Sequence, residues 1–255
     1  MRRASALENG GGEKGPRKLQ PAPVLSALRG LPFLGANLDE GMIVLTPRQR
    51  EELIQIGVRL RLPARKMIYN ENSEADSVFV VMEGAVKAYR DLPSGKRALS
   101  AFLFSRDLFG LAENGRYLNS TQAIVPVTLY RLSMSQLTLL LKHDAELQFQ
   151  FLKKITHELR ESQRRAILLA RRDAPGRLAM FLALMAARTD RRIREDPDIP
   201  LPMTRSDIAS FLGVSLETVS RAAAQLERRG MVEFRGRHVA RVLDPLRLAK
   251  LASAV

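Results

Sequence analysis

Three polar residues, Glu217, Ser220 and Arg221, lie at spacings of three and one in the stretch SLETVSRAAAQLERRG. On a helix they share one face, because residues three and four apart are neighbours there. Such a face is suited to reading DNA bases: an arginine can donate twice to guanine O6 and N7, and a glutamate can accept from the amino group of cytosine or adenine. The alternative is a surface ion pair between Glu217 and Arg221, which would contribute about 0.3 kcal/mol.

The elements around this polar trio predict a helix-turn-helix. Thr204 and Asp207 form a variant of the capping box at the start of a first helix. Gly213 can end that helix in a left-handed conformation, and Ser215 can cap the second helix. Two helices joined in this way present the first turns of the second helix to the major groove. The predicted buried face comprises Ile208, Ala209, Phe211, Leu212, Leu216, Val219, Ala223 and Leu226.

After Gly230, the stretch MVEFRGRHVARVLD predicts two strands around an RGR turn, forming a wing. Basic residues on such a turn can approach DNA phosphates, although a solvated turn without a DNA contact is an open alternative. His238 is a poor metal ligand, since no second ligand has suitable spacing nearby. The residues expected to contact the DNA backbone or to make secondary contacts are Arg205, Ser215, Thr218, Arg235 and Arg237.

A long stretch from Asp144 to Arg172 contains neither glycine nor proline and has a helical pattern. One row of residues is spaced alternately by three and four, which is typical of a seam between paired helices. This pattern predicts a homodimer, with a helix buried in its own domain as the alternative. The seam comprises Leu152, Ile155, Leu159, Ser162, Ala166 and Leu169, whereas Leu147, Phe149 and Phe151 lie on other faces and are expected to pack on the preceding domain.

The preceding region, from about Leu60 to Leu132, contains short β-prone runs separated by turn-forming residues, which predicts an all-β barrel or sandwich. A helix is expected to begin at Thr46, and Asp173 is expected to cap the helix after the long one. The predicted organisation is a flexible tail at 1–40, a β domain at 41–143, a dimerisation helix at 144–172 and a DNA-binding domain at 173–255. The predicted fold class is therefore α+β.

The composition narrows the function classes. Lysine and arginine total 41 against 27 acidic residues, a formal net charge of +14, which suits a polyanionic partner such as double-stranded DNA. Cysteine is absent, which excludes thiol catalysis and cysteine-bound clusters. No apolar run reaches a membrane span and no secretory signal is evident, so a cytoplasmic protein is expected. No enzyme motif, phosphate-binding loop, metal site or cofactor site is predicted.

The predicted order of domains resembles the CRP/FNR superfamily of bacterial transcription regulators over about residues 53–252. The resemblance is strongest in RRDAPGRLAMFL and in LPMTRSDIASFLGVSLETVSRAAAQLERRGMVEFRGRHV. The segment ETVSR is similar to the E-x-x-S-R recognition pattern of the FNR and FixK branch. The resemblance implies a β-roll of the cyclic-nucleotide-binding type, a winged helix-turn-helix, and RNA polymerase as a partner. It also implies that a dimer, more often an activator, reads an inverted repeat similar to TTGAT-N4-ATCAA.

The sensor region departs from the nucleotide-binding relatives. In DLFGLAENGRYLNSTQA, Gly110 is followed by Leu111 where those relatives have glutamate, and Asn119 to Thr121 occupy the place of the expected arginine. Arg116 lies too early to replace it. Cyclic AMP binding is therefore not expected, and FNR's iron–sulfur cluster would need cysteines. The sequence favours a FixK-like regulator without a bound effector; the alternative is a regulator switched by an unidentified small molecule in the β-roll.

Overall fold

The computed structural model describes residues 46–112, 114–171, 173–188 and 198–253, so the predicted tail at 1–40 lies outside the described residues. The helices are α1 (Pro47–Gln55), α2 (Met134–His143), α3 (Ala145–Ala170), α4 (Ala174–Arg188), α5 (Arg205–Leu212), α6 (Leu216–Arg228) and α7 (Pro245–Ser253). The strands are β1 (Gly57–Leu62), β2 (Met67–Tyr69), β3 (Ser77–Glu83), β4 (Val86–Asp91), β5 (Arg97–Leu103), β6 (Leu108–Phe109), β7 (Ser120–Ala123), β8 (Val127–Ser133), β9 (Asp198–Pro200), β10 (Val232–Arg235) and β11 (Val239–Val242).

The first domain is a β-roll of two antiparallel four-stranded sheets, with strand orders β1-β8-β3-β6 and β2-β7-β4-β5. Alternate residues of each strand face the space between the sheets, as the two-residue period of a strand requires. Phe79 and Leu129 on one sheet and Val86 and Leu103 on the other are all buried in one apolar cluster. The α+β fold class is confirmed.

Thr46 caps helix α1, as predicted. The Thr46 hydroxyl accepts from the Gln49 amide at 3.2 Å, and the Gln49 side chain accepts from the Thr46 amide at 3.0 Å, which completes a capping box. The Gln49 side chain also donates to Asp144 at 2.9 Å, and Asp144 caps α3 by accepting from the Leu147 amide at 2.8 Å. These bonds fix the start of the long helix to the roll.

Helix α3 buries one face and exposes another. Leu147 and Phe151 pack in a cluster with Val78 and Leu137 of the roll region, as expected. The expectation for Phe149 is wrong: its side chain is 55% exposed, because it lies on the far side of the helix from that cluster. The exposed face also carries the apolar members Leu152, Ile155 and Leu159 of the seam.

The C-terminal domain is built around α4, most of whose side chains are buried among α5, α6, α7 and a sheet of order β10-β11-β9. Asp173 accepts from the Gly176 amide at 2.6 Å at the start of α4, consistent with its predicted capping role. The polar composition of RRIREDPDIPLP predicts a connector before the helix-turn-helix, but Asp198–Pro200 of this stretch forms β9. Ile199 is fully buried and pairs with Ala240 of β11.

Within the described residues, no helix is both long and apolar enough to cross a membrane.

Candidate nucleic-acid interface

Two capped helices hold the polar trio. Asp207 and Thr204 bond reciprocally at the start of α5, each amide donating to the other side chain at 3.1 Å. Gly213 follows α5 in the left-handed region, with φ of 66°, which a residue without a Cβ adopts readily. Ser215 then accepts from the Thr218 amide at 3.2 Å and begins α6. The predicted helix-turn-helix is therefore present.

The predicted inner face is buried with one exception. Leu216 is 45% exposed, because its position in the first turn of α6 places it outside the crossing of the two helices. Ala222 is buried in addition, so the inner face of α6 follows Val219, Ala222, Ala223 and Leu226. The face opposite this row is left free to approach a ligand.

Glu217, Ser220 and Arg221 lie off the buried row, with Glu217 and Arg221 exposed and Ser220 half-buried. The Arg221 guanidinium donates to the Thr218 hydroxyl at 3.4 Å. The backbone amide of Glu217 and the Ser215 hydroxyl hold the pKa of Glu217 below its usual range, with a smaller contribution from the charge of Arg221. Glu217 is therefore an ionised acceptor at neutral pH, and Arg221 is a nearby donor.

The wing is formed by β10 and β11, and its basic residues differ in availability. The Arg235 guanidinium forms ion pairs with the carboxylates of Glu233, at 3.0 Å, and Asp198, at 3.6 Å. Arg237 lies exposed on the turn, beside Gly236 with φ of 66°. The Arg205 guanidinium at the start of α5 lies 5.5 Å from the centre of the Phe234 ring. Arg235 must therefore leave the carboxylates of Glu233 and Asp198 before it can bind a phosphate.

The interior of the roll is packed with aromatic rings. Tyr69 and Tyr117 stack with their centres 3.7 Å apart, and Phe79 and Phe109 stack at 5.4 Å. The Tyr117 hydroxyl donates to the Ser77 carbonyl at 2.7 Å, so this ring is tied to β3. Burial is the main cause that raises the pKa of Tyr69, which keeps its hydroxyl neutral.

In the stretch DLFGLAENGRYLNSTQA, the residues that differ from the nucleotide-binding relatives contact other parts of the roll. Arg116 is exposed and donates to the Asn72 carbonyl at 2.7 Å, while its backbone pairs with Glu74. Ser120 accepts from the Glu71 amide at 2.9 Å, and Thr121 is fully buried. Among the described residues, no group of three or more potential metal ligands is found.

A winged helix-turn-helix joined by a long helix to a β-roll defines a DNA-binding regulator. Two family models match the chain: the cyclic nucleotide-binding domain over residues 59–144 and the Crp-like helix-turn-helix domain over residues 176–251.

Similar proteins include the transcriptional activatory protein AadR of Rhodopseudomonas palustris, which is 32% identical. The alignment covers 89% of this chain and 92% of the AadR chain. The nitrogen fixation regulation protein FixK of Bradyrhizobium diazoefficiens is 30% identical. The alignment covers 82% of this chain and 88% of that FixK chain. The solved structure of FixK2 from Bradyrhizobium japonicum matches with a TM-score of 0.73 and 30% identity, covering 78% of this chain and 99% of that one. The chain belongs to the FNR/FixK-like branch of the CRP/FNR family of transcription regulators.

Proposed function

We propose that this protein is a homodimeric transcription activator that reads an inverted repeat similar to TTGAT-N4-ATCAA and acts with RNA polymerase. The observation that carries the proposal is the polar trio of Glu217, Ser220 and Arg221, held off the buried row of α6 by a capped helix-turn-helix. A recognition helix contacts base edges with its first turns, and the trio lies there. The similar protein AadR, a transcriptional activatory protein, supports an activator rather than a repressor.

Each member of the trio has a distinct role in this proposal. Arg221 donates its two parallel hydrogen bonds to the guanine of the TTGA half-site. Glu217, held ionised, accepts from a cytosine or adenine amino group, so it contributes selectivity while its charge opposes the phosphates. Ser220 contacts a base edge or a thymine methyl group.

Phosphate contacts supply the affinity that does not depend on sequence. We assign these or other secondary contacts to Arg205, Ser215, Thr218, Arg235 and Arg237. Arg237 is exposed on the wing turn, whereas Arg235 must exchange its ion pairs with Glu233 and Asp198 for a phosphate. Arg237 is therefore expected to contribute more than Arg235.

The dimer is proposed to form through α3. Leu152, Ile155 and Leu159 are 57%, 50% and 60% exposed, although each is apolar. Pairing with a second copy would remove this surface from water. The remaining seam residues are Ser162 and Ala166, which are exposed, and Leu169, which packs in part against the C-terminal core. We also propose the division of the chain into 1–40, a β-roll at 41–143, a dimerisation helix at 144–172 and a DNA-binding domain at 173–255.

The β-roll is proposed to act without a cyclic nucleotide. The stacked rings of Tyr69, Tyr117, Phe79 and Phe109 pack in the apolar cluster of the roll, and the exposed Arg116 donates to the Asn72 carbonyl. These observations favour regulation without a roll-bound effector over regulation by a small molecule in the roll.

Selection of bound sequences from a random DNA pool tests the proposed function. We expect the full-length protein to enrich an inverted repeat with TTGA-type half-sites, in complexes that contain two protein chains per duplex. Enrichment of unrelated or non-palindromic sequences would contradict the proposal. A variant with Glu217, Ser220 and Arg221 all replaced by Ala serves as the control, and it should enrich no repeat.

A further inference from the structure

The helix-turn-helix is docked on the roll of its own chain, at the free edge of β5. Lys87 of β4 places its Nζ 2.6 Å from the Oδ1 of Asp207 in α5. Ser210 of α5 accepts from the Leu99 amide at 3.2 Å and donates to the Arg97 carbonyl at 2.5 Å. Because β5 is an edge strand, these backbone groups are available to a side chain. We call Lys87, Asp207, Ser210 and the β5 edge the docking contact.

The docking contact lies beside a buried apolar interface. The Phe102 ring of the roll lies 5.1 Å from that of Phe211 and 6.1 Å from that of Phe181, measured between ring centres. The side chains of Lys87 and Asp207 are only 16% and 11% exposed. Charges and hydrogen bonds in such a shielded setting depend strongly on geometry, so they favour one orientation of the two domains.

Helix α3 joins the same place. The Arg165 guanidinium donates to the Leu99 carbonyl and lies 5.2 Å from the centre of the Phe211 ring. The seam helix, the roll and the first helix of the helix-turn-helix therefore meet at one short length of β5. The orientation of α5 on this edge sets the orientation of the polar trio relative to the seam, because α5 packs directly on α6.

We propose that Lys87 and Ser210 are positioning residues that determine which spacing between half-sites the dimer accepts. This inference rests on the proposed function, because the spacing between half-sites matters only when two recognition helices bind an inverted repeat. The two recognition helices of a dimer must match half-sites a fixed distance apart along the duplex. A helix-turn-helix held rigidly on the roll accepts one spacing, whereas one held more loosely, by the apolar interface and its connection to α3, adapts to several.

Ser210 offers a test that separates positioning from local stability. Alanine is a better helix former than serine, so Ser210→Ala should not weaken α5 itself. Loss of the Ser210 hydroxyl removes only its two hydrogen bonds to β5. Lys87→Met keeps most of the apolar stem and removes the charge. Asp207 is a poorer choice for substitution, because it also completes the capping box with Thr204.

The experiment measures affinity for duplexes whose central spacer runs from about two base pairs shorter to about two base pairs longer than N4, and for a single half-site. We expect the wild type to prefer one spacer sharply. In Lys87→Met and in Ser210→Ala, the ratio of affinities between the best spacer and its neighbours should fall about three- to tenfold, since preorganisation is lost. Single half-site affinity should stay within about twofold of wild type.

Two exposed residues provide matched controls: Lys96→Met in the β4–β5 turn, and Ser206→Ala on α5. Both controls should keep the spacer profile of the wild type. Unchanged profiles in Lys87→Met and Ser210→Ala, beside a sharp wild-type optimum, would overturn the positioning role. An equal loss on every spacer and on the half-site would also overturn it, since that indicates a structural role. A wild type without any preferred spacer would instead contradict the proposed function.

Discussion

Replacing Ile155 and Leu159 by Asp should convert the protein to a monomer. The two side chains are 50% and 60% exposed on α3, so about half of each remains to be buried by a partner. Full burial of such a side chain contributes about 1.5–3 kcal/mol, which leaves roughly 1 kcal/mol at each position. The two positions on two helices therefore account for about 4 kcal/mol, and losing them raises the dimer Kd by about a thousandfold.

The aspartates would add a further cost, because they would place like charges in a dry interface. Sedimentation at micromolar concentration should show a monomer with unchanged secondary structure by circular dichroism. Leu139→Asp is the matched control: Leu139 is 58% exposed on α2 and is not a member of the seam, so its variant should stay dimeric. A double variant that remains a dimer, or a control that dissociates equally, would refute the assignment of the interface to α3.

Three further predictions concern the wing, the roll and the turn. Arg237→Ala should weaken binding to specific and random DNA alike and reduce the slope of log affinity against log salt by about 0.9 in a titration, whereas Arg116→Ala in the roll should not. Cyclic AMP at millimolar levels should leave DNA affinity unchanged in a binding assay; a clear response would show that the roll holds a nucleotide. Gly213→Ala should lower the free energy of unfolding by about 1–2 kcal/mol from its positive φ alone, and by more because Leu169 lies 3.3 Å from the added Cβ. Gly236 has the same φ of 66° and open space around it, so Gly236→Ala should lower the free energy of unfolding by less, as measured by thermal unfolding.

The helix-turn-helix could be predicted because its determinants are local. Thr204 and Asp207 are three residues apart, Gly213 ends one helix, and Ser215 begins the next. Each of these capping and helix-ending residues acts on backbone within one or two turns of helix, so a short stretch of sequence is enough to identify it. The long helix was predictable for the same reason, from an uninterrupted stretch with a helical period.

The features that could not be predicted depend on distant partners. Strand β9 is three residues long and contains Pro200, and only its pairing with β11 makes it a strand. Phe149 and Phe151 are two positions apart on α3, and which of them is buried depends on the side of the helix on which the roll lies. The bond between Lys87 and Asp207 joins residues 120 positions apart, so no local pattern indicates it.

A double-mutant cycle between protein and DNA tests most directly whether Arg221 reads the guanine of each half-site. Affinities of wild type and Arg221→Ala are measured on the TTGAT-N4-ATCAA duplex and on the same duplex with that G·C pair changed to A·T in both half-sites. The wild type should lose about 1–3 kcal/mol per half-site on the changed duplex, and Arg221→Ala should bind both duplexes with nearly equal affinity. If Arg221→Ala still discriminates between the two duplexes as strongly as the wild type, Arg221 does not read that base.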